Sequence, residues 1–152
     1  MTPEQQRELR RIWVLHDDAI GIELLRENDP KTLKKISDPI VLTPEVRTAG
    51  KPGPTKVQQV AKAVGDYLSE VLDAATEPFA IEIRKLVCVE LKYCERRLKG
   101  HTEAEGLNLA MTIIDGFMML KLAMPFPPTW TATYLLKKGF FDKLCGCDLS
   151  TK

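Results

Sequence analysis

Apolar residues recur at three- and four-residue steps over most of the chain, which is the period of an amphipathic α-helix. In the first segment Leu9, Ile12, Trp13, His16, Ile20 and Leu24 keep this spacing. The segment opens on Thr2, Pro3 and Glu4: an N-cap residue, a first-turn proline and an acid that complements the helix dipole. The pattern predicts one continuous helix over about residues 3–27, stopped at Pro30, because the residue before a proline is driven out of helical geometry.

The same period returns at Thr55. Val57, Val60, Ala61, Val64, Leu68, Val71 and Leu72 line one face up to Ala75, and Thr55 with Gln58 forms a capping-box pattern at its start. Pro78 stands in the first turn of the next segment, predicted to be helical over 78–99 with Gly100 as its stop. Within it "AIEIRKLVCVEL" also alternates like a strand and is rich in β-branched residues, so any strand in this protein is expected there. Thr102 and Glu105 make a second capping box for a helix over 102–124, ended by Pro125, Pro127 and Pro128. A short last helix follows from about Thr129, with a break at Gly139.

Residues 31–54 differ from the rest. They hold four of the ten prolines and one short helical pattern, "KTLKKI". Their apolar residues Ile36, Ile40, Val41, Leu42 and Val46 suit an arm wrapped on the protein better than a free linker, which would be poor in β-branched side chains. The expected fold is all-α: a single domain over 1–152 with four main helices and a short C-terminal helix. It divides into an N-terminal helix (1–30), a proline-rich connecting arm (31–54) and a helical core and tail (55–152).

Composition narrows the classes. A chain of 152 residues, 44% hydrophobic and 28% charged, has the make-up of a folded domain with its own core and not of a disordered chain. A formal net charge of +1 offers no electrostatic footprint for DNA or for an anionic membrane. The first residues, "MTPEQQRELRR", lack the apolar run of a secretory signal, and the cytoplasm is the expected compartment. The apolar stretch 107–124 reaches the length of a membrane span, but Asn108, Thr112, Asp115 and Lys121 interrupt it. A helix buried nearly all round in a bundle accounts for it. Asp115, isolated there, needs a cationic partner or a place at the surface.

Candidate chemistry is sparse. "GKPGPTK", from Gly50 to Lys56, sets glycines and lysines before a helix start, as a phosphate-binding loop does. The order of residues is wrong for one, and Pro52 and Pro54 each delete an N–H donor the cradle would use. Four cysteines, Cys88, Cys94, Cys145 and Cys147, equal the number a closed zinc site needs. On a continuous α-helix, however, Cys88 and Cys94 lie about 240° apart around the axis. Both are expected to be small core residues. Cys145 and Cys147 form the better local pair, able to chelate a soft metal or react as a thiol couple. A disulfide framework is not expected in the cytoplasm. "HDD" at His16 to Asp18 lacks the upstream His and distant Asp of an HD-type phosphohydrolase. Glu70 and Asp73 share a helical face without the second acidic pair a metal-dependent pyrophosphohydrolase requires. No cofactor or resident metal is expected.

Arg96 and His101 have the R-x4-6-H spacing of the HEPN ribonucleases, small all-helical proteins that this pair resembles. The resemblance implies a metal-independent nuclease that dimerises, with the His in acid–base cleavage and the Arg on the phosphate, and RNA as partner. Arg11 and His16 match the same spacing, while Arg97 and Gly100 depart from the family's pattern.

The leading expectation is non-enzymatic: a helical protein–protein interaction module such as a small adaptor, an inhibitor or immunity-type protein, or an assembly subunit. It would bind a protein partner or self-associate as a homo-oligomer, without DNA or membrane. Its expected interface is Met118, Met119, Phe126, Trp130, Phe140 and Phe141, because methionines and aromatics clustered in the last third suit an adaptable contact surface.

Overall fold

A computed structural model of the chain describes residues 2–15, 17–42, 55–99 and 103–147. Every regular element among them is helical. In chain order they are α1 (Pro3–Trp13), α2 (Asp17–Asn28), α3 (Pro30–Val41), α4 (Lys56–Thr76), a 3-10 turn (Glu77–Phe79), α5 (Ala80–Arg84) continuing as a π-helical segment (Lys85–Glu90), α6 (Tyr93–Lys99), α7 (Glu103–Leu120), α8 (Pro128–Lys137) and α9 (Phe140–Cys145). The all-α expectation holds, while the four-helix division does not match this order.

The chain separates into two compact units, one of Met1–Leu15 with Leu72–Lys152 and one of His16–Val71. In the second unit α2 packs on α3. Ile20, Leu24 and Leu25 of α2 are buried, and so are Val60, Val64 and Leu68 of α4, at four-residue steps along one stripe. Val57, expected on that stripe, is exposed.

Two local start signals are realised. The Thr2 hydroxyl accepts from the Gln5 N–H while the Gln5 side chain accepts from the Thr2 N–H, and Thr55 and Gln58 repeat this exchange before α4. Each pair satisfies donors that a helix N-terminus would otherwise leave without partners.

The helical segment does stop before Pro30, at Asn28, but Pro30 also begins a new helix. It is the first residue of α3, where a missing N–H costs nothing, and Asp29 is the N-cap: its carboxylate accepts from the Thr32 N–H and, at 2.6 Å, from the Thr32 hydroxyl. Most of the first half of the expected arm is therefore a helix. Ile36 and Ile40 are part-buried on it, Val41 and Leu42 are exposed, and Lys56 Nζ donates to the Val41 carbonyl at 2.7 Å. Residues 43–54, with Val46 and the Gly50–Pro54 stretch, lie outside the described residues, as do His16 and the expected stop at Gly100 and cap at Thr102.

The expected helix over 3–27 is likewise two helices, parted after Trp13. Lys137 of α8 supplies the reason. Its ammonium donates to the carbonyls of Trp13 and Leu15 and stands 5.2 Å from the centre of the Trp13 ring. Carbonyls that a continuing helix would bond internally are taken by a side-chain cation instead, at the end where the helix dipole favours positive charge.

The first unit is built around α8. Residues Thr129 to Leu136 are all buried, and α8 packs against α1, α7 and α9. It, and not α7, is the helix enclosed on every side. α7 buries Leu109, Ala110, Ile113, Ile114 and Phe117, yet ends with Met118, Met119 and Leu120 exposed. Asp115 is part-buried on it. A Cβ at Gly106 would stand 2.7 Å from Trp13 Cζ2, so the absent side chain is what lets the indole lie on α7.

Candidate interaction residues and the disulfide-bonded helices

The segment 80–91, where a strand was conceivable, is helical but not uniformly α-helical. From Lys85 the backbone bonds widen by one residue, as in the bond from the Leu91 N–H to the Leu86 carbonyl at 2.9 Å. Lys92 then adopts φ 51°, a left-handed conformation that ends the segment and redirects the chain into α6. This combination overturns the expectation that Cys88 and Cys94 face apart. A helix that is widened and then broken no longer places residues six apart on opposed directions. Cys88 is bonded to Cys145 and Cys94 to Cys147, each with a Cα–Cα distance of 5.3 Å. All four sulfurs are consumed.

The correction extends to chemistry. Cys145 and Cys147 do not present a thiolate pair for a soft metal, and among the described residues no group of three or more His, Cys, Asp or Glu side chains is arranged to hold a metal ion. The two bridges brace α9 and the second residue after it against the π-helical segment and α6. Between them Tyr93, fully buried, donates its hydroxyl to Asp142 Oδ1 at 2.9 Å. Its ring meets Phe141 edge-on at 5.8 Å, and Phe141 in turn meets Phe117 and Phe140. A buried carboxylate and a buried phenol satisfy each other inside an aromatic cluster.

Elsewhere in this unit large apolar side chains are open to solvent. Ile81 is 81% exposed and Val89 65%, on α5 and its π-helical continuation; Met119 is 82% exposed at the end of α7, flanked by Met118 and Leu120. A Cβ at Gly116 would lie 2.4 Å from Leu86 Cδ2, so α7 and the π-helical segment meet closely there. Gln5 Nε2 approaches Met118 Sδ at 3.7 Å, which holds one of the two methionines against α1.

The six residues expected at an interface thus divide. Met118 and Met119 are exposed and Phe140 is part-buried, whereas Phe126, Trp130 and Phe141 are core residues with at most 7% of their surface accessible. Trp130 carries Arg11 over its ring at 5.7 Å. Ile81 and Val89 were not singled out from the sequence, since the dense β-branched residues of this stretch also alternate like a strand. Their eight-residue separation, with Ile83 and Val87 out of phase, was the available signal.

For the nuclease-like pair, Arg96 is exposed on α6 and His101 lies outside the described residues, so no shared cleft can be described for them. Glu70 and Asp73 are both exposed on α4. No described helix is long and apolar enough to cross a membrane. Comparison of the chain with protein-family models, with curated proteins and with solved structures gives no match.

Proposed function

We propose that this protein is a helical protein–protein interaction module, of the adaptor, inhibitor or assembly-subunit kind, that works through the exposed apolar side chains of its first unit. One observation carries the reading: Ile81, Val89 and Met119 stand largely in solvent on a unit whose core is otherwise closed by Phe117, Trp130 and Phe141. Leaving side chains of this size in water forgoes about 1.5–3 kcal/mol apiece, which burial against a partner recovers. Methionine adapts its shape to the surface it meets, and the bridge at Cys88, next to Val89, restrains the backbone there and lowers the ordering cost of binding.

Two bridges that use every cysteine favour an oxidising compartment over the cytoplasm expected from the N-terminal residues, because cytoplasmic thiols are kept reduced. The partner is therefore sought first among proteins of such a compartment or in a second copy of the chain.

Light scattering from micromolar to hundreds of micromolar protein, with the Ile81→Glu/Met119→Glu variant alongside, tests the reading. The expected result is a mass that rises with concentration, or a stable complex with a purified partner, either of which the variant loses while keeping its helical circular dichroism. A strictly monomeric chain whose partner binding is indifferent to both substitutions would overturn it. So would metal-independent cleavage of RNA abolished by His101→Ala.

A further inference from the structure

The four cysteines join only two stretches of chain, Cys88 to Cys94 on one side and Cys145 to Cys147 on the other. Both bridges therefore fasten the same element, α9 with the residues that follow it, to the same support. α9 is six residues long and is bounded by Gly139 and Gly146, both left-handed at φ 75° and 63°. A helix this short does not persist in water by its own hydrogen bonds, and a left-handed glycine at its start leaves the chain free to swing there. The covalent ties reinforce side-chain contacts that include Phe141 in the aromatic cluster and the Tyr93 to Asp142 hydrogen bond. All four cysteines are only part-buried, and Cys94 Sγ lies 3.9 Å from the Cys145 carbonyl, so the bridges are neighbours near the surface.

We propose that the two disulfides form a redox latch on α9. Closed, they hold α9 against the π-helical segment and α6. Opened by a dithiol reductant, they release it and uncover the rings of Tyr93 and Phe117. Each opening is a two-electron exchange: one S–S bond of this chain breaks, two thiols form on it with the two protons of the dithiol, and the dithiol closes to its own disulfide. Two dithiol equivalents leave four thiols. Because both bridges tie the same two stretches, either alone still fastens α9 to the same support, and release requires that both be reduced. The latch is thus closed in an oxidising compartment and opens where dithiols are abundant.

Hydrogen–deuterium exchange on the full chain reads the latch directly. Mass spectrometry of the purified protein first counts its thiols, with none expected. In dithiothreitol, once four thiols are counted, amides of residues 140–147 are expected to exchange at least about tenfold faster while those of α1, α7 and α8 keep their protection. Oxidised glutathione restores the slow rate. The Cys94→Ser/Cys147→Ser variant is expected to stay protected over 140–147 until dithiothreitol is added, and the variant with all four cysteines changed to serine to exchange as the reduced protein does. The proposal fails if the purified protein carries free thiols, if full reduction leaves 140–147 protected, or if loss of one bridge already releases it. It fails equally if reduction strips protection from α1, α7 and α8 together with α9, since the bridges would then hold up the whole unit and latch nothing.

Discussion

Lys137 Nζ lies 5.2 Å from the centre of the Trp13 ring and donates to the Leu15 carbonyl at 2.6 Å, so a cation from α8 closes the end of α1. The Trp13 carbonyl accepts from the same ammonium. Replacing Lys137 by Met keeps most of the apolar stem and removes the donor and the charge. The expected loss is about 1.5–3 kcal/mol, the usual range for hydrogen bonds to a charged group, read from the shift in urea midpoint at unchanged slope. Lys137→Arg is expected to keep part of it, since the charge remains while the point-like ammonium geometry is lost.

Tyr93 and Asp142 tie α6 to α9 in the interior. Tyr93→Phe leaves the ring packing and removes the hydroxyl that donates to Asp142. A destabilisation of about 1–2 kcal/mol is expected. A double-mutant cycle with Asp142→Ala isolates the pair, and a coupling energy near zero would show that each group is satisfied independently of the other.

Two threonines on α8 separate a bonded hydroxyl from an unbonded one. Thr133 Oγ1 is buried without a hydrogen-bond partner, whereas Thr131 Oγ1 donates to the Phe126 carbonyl at 3.2 Å. Valine has the same shape as threonine and carries no polar atom. Thr133→Val is expected to be neutral or to stabilise by up to about 1 kcal/mol, and Thr131→Val to destabilise by about 1 kcal/mol, in thermal melts of the two variants.

The disulfides are expected to act non-additively. Each closes a long loop, of sequence separation 57 or 53, but with one in place the other closes a ring of only about ten residues. Loop-closure entropy then assigns about 3 kcal/mol to removal of either bridge alone and about 7 kcal/mol to removal of both. Denaturant titrations of the two paired Cys→Ala variants and of the fourfold variant compare these values. Equal and additive losses would show that the bridges constrain separate parts of the unfolded chain.

What the sequence by itself determined is local. The all-α class followed from hydrophobic period, and the starts of α1 and α4 from Thr2 with Pro3 and from Thr55 with Gln58, because caps are closed by residues a few apart and need no help from elsewhere. The stripe Val60, Val64, Leu68 is legible for the same reason. Pro30 was ambiguous in kind: a proline that stops one helix and a proline that starts the next have the same fixed φ and the same missing N–H.

Tertiary structure alone decided the rest. The apolar stripe runs on through Trp13 toward Ile20 without a gap, and the helix parts there because an ammonium 124 and 122 residues away takes the carbonyls of Trp13 and Leu15. Cys88 and Cys94 could be brought to one side only by the widened turns before Leu91 and the left-handed Lys92 after it, neither of which periodicity encodes. The expected interface divided in the same way. Trp130 and Phe141 entered the core and Met118 and Met119 remained outside, because hydrophobicity sets the value of burial while only the packing of distant helices sets which side chains receive it.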